Sequence, residues 1–475
     1  MMAIHRQSGA GMIRTLLKRR LPSTSAHPVL AAAVSLWALL LGMLMLMLGN
    51  GLQGTLIGVR ASGEGFTSNS IGLVMSGYFI GFLAGSVIVP KLITGVGHLR
   101  VFAALAALSS VSILVHSVLI VPWIWVLMRL VTGFAFAGIY VVAESWLNDR
   151  VTNEHRGGLL SIYMIISYLG LTGGQLLLNL ADPGLHDLFI VIAILVSLAS
   201  VPILLVITQT PVVQDWSALS PLQLLRQSHL GAIGTTVSGV AGGVVLGMGP
   251  VYAASVGMSV TEISLFMAAL VGAGALTQWP IGRFSDRFDR RRVLVLASAA
   301  GAVAALVAAV LTIILAERAA TAVIGLGMVI GAAVLALYPL LVAYTNDRIE
   351  PEQRVGAGSS LIMLYGSGAI VGPLLTGPAM EALGPTGFFW LLFAILGGLG
   401  AYTYWRIRRG RPLKIEEQTH APQLPGRTLS LIPAWIDTLT RSRRPRTHRN
   451  AAPAAAGTAV EESAKSTTEA NDGRE

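Results

Sequence analysis

The chain has 475 residues, of which 54% are hydrophobic and only 12% charged, with a mean hydropathy of +0.70. A soluble domain carries about 25% charged residues, so the charge is too sparse to solvate a surface of this size and lipid must cover much of it. There is no cysteine, hence no disulfide and no thiolate metal site, and the formal net charge of +10 has to be located before nucleic acid is considered as a partner.

Residues 1–28 are polar and basic, with Arg6, Arg14, Lys18, Arg19 and Arg20. They resemble the start of a secretory signal, but the apolar run from Val29 to about residue 57 is too long for one and has no clear small-residue cleavage site. It is read as an uncleaved first helix. Further apolar runs lie near 71–93, 101–121, 123–146, 157–180 and 186–208. A polar linker at 209–229 follows, then runs near 230–254, 262–281, 293–315, 319–344, 355–377 and 386–405. At 1.5 Å per residue each is long enough to cross about 30 Å of hydrocarbon. The expectation is an all-α membrane protein with an N-terminal six-helix bundle over 29–208, a linker, and a C-terminal six-helix bundle over 230–407.

Lysine and arginine set the orientation. One side receives the N-terminus, Lys91, Arg100, Arg150, Arg156, Arg226, the cluster from Arg283 to Arg292, Arg348, Arg354 and the tail. The other receives only Arg60 and Arg318. Both termini are therefore expected on the cytoplasmic side, and the positive charge is assigned to lipid headgroups rather than nucleic acid. Within the linker, residues 221–226 suit one or two turns of helix on the membrane surface. Residues 408–475 form a basic tail, rich in Pro, Ala, Ser and Thr and acidic at its end. It is expected to be largely disordered, with either a weak interfacial helix or plain flexible chain over 429–439.

The chain repeats itself. Asn148-Asp149-Arg150, then Glu154 and Arg156, then Gly170 and Gly174, recur as Asn346-Asp347-Arg348, Glu352 and Arg354, Gly368 and Gly372. Every matched pair is 198 residues apart. A fixed offset near half the length, in a chain of apolar spans, indicates a duplicated transporter scaffold.

Several residues carry candidate chemistry. Gly282, Arg283, Asp286, Arg287, Arg290 and Arg291 form the pattern G-x-x-x-D-R-x-x-R-R between spans eight and nine. An ion pair there can bias a two-state rocking equilibrium; a positive-inside anchor is the plainer alternative. The first-half counterpart, Pro90 to Arg100, has Thr94 in place of the aspartate, so a carboxylate latch is not expected there. Arg129 lies inside span four, where an arginine is costly and points to function, with pairing to backbone carbonyls as the alternative. Glu144 stands on the same span, roughly 22 Å nearer the cytoplasm. Three readings stay open for it: a proton carrier, a partner for a cytoplasmic arginine, or a carboxylate at a helix end among headgroups. At the repeat offset these two charges become Gly327 and Val342, so the halves share scaffold but not charge. Asn50, Gln53, Tyr78, Tyr140, Gln175, Gln278, Trp279, Tyr338 and Tyr365 are candidates to line a cavity, or members of interfacial belts. No phosphate-binding loop, zinc-protease motif or nucleophile elbow is present, so no enzyme, cofactor or metal is expected, and transport would draw on a gradient.

The motif from Gly282 to Arg291 resembles motif A of the major facilitator superfamily, and Arg129-Leu130-Val131-Thr132-Gly133 resembles its motif B. That family usually has Gly where this chain has Asp289. Gly170 to Gln175 loosely resembles the antiporter motif but lacks its Gly-Pro; Gly368 to Pro373 is closer to it, in the other half. Gln278-Trp279-Pro280-Ile281-Gly282-Arg283, Val141 to Ser145, Tyr163-Met164 and Gly174 to Leu177 look like the YcaD-like branch of bacterial major facilitators, over roughly residues 30–405. The resemblance implies the major facilitator fold: twelve transmembrane helices in two pseudo-symmetric bundles around a central cavity, working by alternating access. The reading of the residues, beside this resemblance, is a monomeric inner-membrane secondary transporter of a small solute, coupled to protons. The resemblance supplies no substrate. The rival class is a sensor or scaffold that kept the fold and signals through the basic tail. Truncation after residue 410 separates the two, since flux should survive it and docking should not.

Overall fold

The computed structural model describes residues 36–149, 156–206, 220–350 and 353–409. The basic N-terminal extension, Arg150, Glu154, Glu352, residues 209–219 of the linker, and the tail with the helix expected at 429–439 lie outside the described residues. Those described are helical, with short connections, and twelve helical spans are long and apolar enough to cross a membrane.

The first six are α1 (Trp37–Gly63), α2 (Ser68–Val96), α3 (His98–Val118), α4 (Pro122–Asp149), α5 (Arg156–Leu176) and α6 (Asp187–Val206). A surface helix follows, α7 (Pro221–Gln227), where one or two turns were expected. Ser220 caps it reciprocally with Gln223, and Leu224 anchors it in a small apolar cluster with Val342, Ile349, Ala357 and Leu361. The seventh span is broken: α8 (His229–Gly243), a π-helical turn (Val244–Met248) and α9 (Gly249–Ser255). Pro250 lacks the N–H that a regular helix needs, which accounts for the wide turn before it. The remaining spans are α10 (Val260–Arg287), α11 (Arg290–Leu315), α12 (Ala320–Asn346), α13 (Arg354–Leu383) and α14 (Gly387–Arg409).

Most helices run past the apolar stretch predicted for them. The tenth helix was expected to end near 281 and continues to Arg287, so the motif turn shrinks to Phe288 and Asp289. Hydropathy marks where lipid ends, whereas a helix ends where its backbone hydrogen bonds do.

The two bundles are built alike. In the first, α2 packs on α4, α1 on α5 and α6, and α3 on α4 and α6; in the second, α10 packs on α12, α8 on α13, and α11 on α14 and α12. The repeat glycines explain part of this correspondence. A Cβ at Gly174 would run into the Leu48 carbonyl on α1, and one at Gly372 into the Val240 carbonyl on α8. Small residues at these crossings let the backbones approach, which is how helices associate where lipid removes the hydrophobic driving force.

The bundles meet along two seams, α2 against α13 and α5 against α10, which the pseudo-symmetry interchanges. The π turn and α9 pack beside them on α1, α2 and α13. Hydrogen bonds cross the seams away from the arginine-rich, or basic, end. The Asn69 backbone N–H donates to Glu381 Oε1 at 3.0 Å, and the Asn69 amide donates to the same carboxylate. Ser76 Oγ donates to the Ile370 carbonyl at 2.8 Å. On the other seam Asn179 Nδ2 donates to Ser264 Oγ at 2.7 Å, and Thr261 Oγ1 donates to Asn179 Oδ1 at 2.9 Å. The far end is thus latched on both sides.

Candidate functional site

The sequence candidates fall into three groups. Near the far end, Arg129 is only 5% exposed. Its guanidinium sits 4.5 Å from the centre of the Tyr78 ring, and one nitrogen lies 4.0 Å from Met75 Sδ. Its Nε has no hydrogen-bond partner, and among the described residues no carboxylate comes within 4.0 Å of it. Stacking on an aromatic face offsets part of the burial cost of an arginine. Beyond Arg129 the far end is plugged by Trp125, whose Nε1 donates to the Leu119 carbonyl and whose ring meets Phe66 and His116.

A polar track descends from Arg129. Tyr78 Oη donates to Asn50 Oδ1 at 3.4 Å, and Tyr140 Oη donates to Met47 Sδ at 2.9 Å. Thr55 donates to Gln175, joining α1 to α5. Gln53 is fully buried and neither polar atom of its amide has a partner. Buried polar groups are nearly always hydrogen-bonded, so this stretch of α1 is the kind of place that a water or solute completes.

The second group surrounds Glu144, which is 1% exposed. It stands one helical turn from Tyr140 on α4. Tyr338 packs edge-on against Tyr365, centroids 4.9 Å apart, and Phe82 packs on Tyr140 at 6.0 Å. Gln278 Nε2 crosses the seam to donate to Tyr168 Oη at 2.6 Å. The hydroxyls of Tyr163 and Tyr338 are buried without a hydrogen-bond partner. Among the sequence candidates the structure thus packs Tyr338 on Tyr365 and sets Tyr140 one turn from Glu144, and it places Asn50, Tyr78 and Arg129 in a second group. Trp279 is 63% exposed, with Arg283 stacked on it at 4.8 Å, so both face outward rather than into this site.

Tyr163 and Tyr168 were absent from the cavity candidates. A signal for the pair that matters most did exist: Tyr140 and Tyr338 stand 198 residues apart, the same offset as the repeat. They are equivalent positions of the two halves. An apolar groove of about 370 Å³ between α10, α11 and α12, lined by Pro280, Phe284 and Leu296, opens to the lipid side and holds none of this chemistry.

The third group is the motif at the basic end. Arg290 Nε donates to Asp347 Oδ2 at 2.7 Å, and its NH1 donates to Asp286 Oδ1 at 3.1 Å and to Ser285 Oγ at 3.2 Å. Arg290 and Asp347 are 1% and 2% exposed. The network clips α10, α11 and α12 together, all within one bundle. Gly282 has open space where a Cβ would stand, and no ion pair to Arg287 occurs among the described residues. Asp289, in the position usually held by Gly, accepts from the Arg291 backbone N–H at 3.0 Å, as a helix-capping carboxylate does, and pairs with the Arg291 guanidinium at 2.8 Å. Burial pushes the Asp289 carboxyl up, but the hydrogen bonds and charge of Arg291, with Arg348 beyond, outweigh it and hold it below the usual range.

In the other half the segment from Pro90 to Arg100 has no carboxylate. Gly97, at φ 96°, makes the bend. Thr94 bonds back to the Lys91 carbonyl. His98 stands where Arg290 stands in the second motif, and its Nε2 lies 3.1 Å from Ser145 Oγ on α4.

Comparison with known proteins agrees with this architecture. The Major Facilitator Superfamily profile matches residues 39–227 and 231–455. The MFS-type transporter YcaD of Escherichia fergusonii is 31% identical over 348 residues, covering 72% of this chain and 88% of its own. That of Escherichia coli O45:K1 is 31% identical over 364 residues, covering 76% and 90%. Among solved structures, a point mutant of the nucleoside transporter NupG superposes with a TM-score of 0.68 at 15% identity, over 78% of this chain and 99% of that one. A bacterial homologue of the human lysosomal transporter Spinster, inward-facing and occupied, gives 0.63 at 15% identity, over 80% and 97%. At such identities the structures speak for the fold alone. The profile spans both bundles and the YcaD identity extends over more than two thirds of the chain, so the chain belongs to the major facilitator superfamily of membrane transporters, in its YcaD-like branch.

Proposed function

We propose that this multi-pass inner-membrane protein is a secondary transporter that moves a small solute by alternating access, driven by protons, with Glu144 as the group that takes up and releases the proton. The basic end faces the cytoplasm, as the arginine distribution requires. The observation that carries the reading is the placement of Glu144: a carboxylate 1% exposed inside the fourth span, one helical turn from Tyr140, where the other half has Val342. A carboxylate in such a place is costly unless it is used. Buried inside a bundle that must move, its protonation state can bias the rocking.

The remaining residues divide by location. Arg129, Asn50 and Tyr78 form the far-side portion of the path, with Gln175 bracing α5 on α1. Gln278 holds the α5–α10 seam through Tyr168. Asp286, Arg290 and Asp347 make the C-terminal bundle rigid at its cytoplasmic end, so that it moves as a body.

The test is comparative footprinting of spent medium. Cells expressing wild type, Glu144→Gln or an empty vector would be grown in a complex metabolite mixture. A compound depleted or enriched only with wild type names the solute and gives the direction. An identical profile for wild type and Glu144→Gln, both differing from the vector, would remove Glu144 from the mechanism.

A further inference from the structure

The basic end of the C-terminal bundle holds more positive charge than its own carboxylates answer. Around the α10–α11 turn, Asp286 and Asp347 pair with Arg290, and Asp289 pairs with Arg291. Arg283, Arg287 and Arg292 are left exposed, and none of the three forms an ion pair among the described residues. Arg283 stacks on Trp279. Arg287 and Arg292 stand on either side of a turn of only two residues, Phe288 and Asp289.

The groove of about 370 Å³ between α10, α11 and α12 begins at these arginines. On α10 its wall residues Pro280 and Phe284 share a helix face with Arg287. On α11 Arg292 stands one turn before Leu296, and Leu296 one turn before Ala300. Two walls of the groove thus end in an arginine without a carboxylate partner. Every lining residue is apolar, and behind the exposed Phe284 and Leu296 the small side chains of Ala297 and Ala333 leave the room. From Val293 to Ala300 the lining runs roughly 10 Å along α11, against about 15 Å for the hydrocarbon of one leaflet.

We infer that this groove is a binding site for one anionic phospholipid from the leaflet at the basic end, with its phosphate on Arg287 and Arg292 and one acyl chain lying between α10, α11 and α12. Guanidinium groups hold phosphate through paired N–H donors. A headgroup such as glycerol adds nothing against that attraction, whereas the ammonium of a zwitterionic lipid is repelled by the same arginines. A water-soluble solute is a poor occupant, because pockets for such ligands carry a few placed polar groups and this lining has none. The general excess of arginine at the cytoplasmic ends of spans does not align two of them with the walls of a groove. Arg408 and Arg409 of α14 show the contrast: they are exposed at the same end, but each stacks on a ring of its own helix, Tyr404 and Trp405. The lipid would brace from outside the same three helices that Arg290 clips from inside. The site lies apart from the solute path, so the inference does not rest on the transport reading.

The test uses the full-length protein, delipidated in detergent and then given equal amounts of phosphatidylglycerol and phosphatidylethanolamine with identical acyl chains. Adducts are counted by native mass spectrometry. Wild type should retain one phosphatidylglycerol saturably, at least about tenfold in preference to phosphatidylethanolamine. The double variant Arg287→Gln/Arg292→Gln should bring the two lipids within about twofold of each other, while Arg408→Gln/Arg409→Gln should keep the preference. Ala300→Trp, which fills the groove from its exposed side, should lower the phosphatidylglycerol adduct about tenfold with both arginines intact. A phosphatidylglycerol with a diazirine in its acyl chain should label wild type in nanodiscs mainly along the groove faces of α10, α11 and α12, a reading that needs no variant. Equal retention of the two lipids by wild type would overturn the inference. So would a preference that survives the loss of Arg287 and Arg292 or falls equally with Arg408 and Arg409, an adduct undiminished in Ala300→Trp, or label spread evenly over the lipid-facing helices.

Discussion

The two bundles were laid down as copies, and the places where they now differ are more informative than the places where they agree. At the helix crossings they still match: Gly174 of α5 against α1 and Gly372 of α13 against α8 make the same close approach. At the turn after the second span of each half they do not. The C-terminal copy is clipped by a buried Arg290–Asp347 ion pair with Asp286 beside it, whereas the N-terminal copy has His98 against Ser145 and a threonine that bonds to its own helix. On the central helices the imbalance reverses, with Glu144 and Arg129 in the first half against Val342 and Gly327 in the second. One half is stiffened by charge at its end and the other carries charge at its centre. A rigid body and a responsive one is a sensible division for a rocking machine.

The largest effect should come from breaking the clip. Asp347→Ala leaves Arg290 buried without its main partner and should cost about 3–5 kcal/mol, read as a large loss of thermal stability in detergent. Next come the two glycines, each probed as a Val variant. Gly174→Val and Gly372→Val should each cost about 1–3 kcal/mol by forcing helices apart. The two should agree within about 1 kcal/mol; a wider gap would mean that the crossings are not equivalent. His98→Ala, at the turn without a carboxylate, should cost only about 1 kcal/mol, and an effect as large as that of Asp347→Ala would erase the contrast between the halves. Asp286→Asn should slow transport a few-fold while leaving the range of solutes unchanged, because it acts on the clip and not on the cavity. The smallest effect concerns pH. The Asp289 carboxyl is held below its usual 3.8. Its contribution is therefore present above that value and is lost as pH falls through the lower, folded one. Acid unfolding should show a shallower dependence below about pH 4 in Asp289→Asn than in wild type.

Much of the architecture was legible because membranes make it so. Span number and the internal repeat follow from apolar length and one offset. The glycines at 170, 174, 368 and 372 marked the repeat, and all four stand at close helix crossings. What escaped was of two kinds. Helix ends escaped because hydropathy does not report them, as Arg287 shows. Partnerships across long separations escaped as well: nothing near Asn69 announces Glu381, and nothing near Arg290 announces Asp347. The tyrosines are an intermediate case. Tyr140 and Tyr338 share the repeat offset, but tyrosine in a membrane span reads first as an interfacial belt residue, and Tyr163 and Tyr168 have no tyrosine at the matching positions. Arg129 and Glu144 stood out because a charge inside a span needs a reason.

The most direct test of the central claim follows once footprinting has named a solute. Purified wild type and Glu144→Gln would be reconstituted into proteoliposomes. Accumulation driven by an imposed pH gradient would be compared with solute exchange in its absence. Wild type should do both, and Glu144→Gln should exchange solute yet fail to respond to the gradient, its driven flux falling by about a hundredfold or more. Gradient-driven accumulation in Glu144→Gln equal to that of wild type would contradict the account, for the buried carboxylate of α4 would then not be the group that carries the proton.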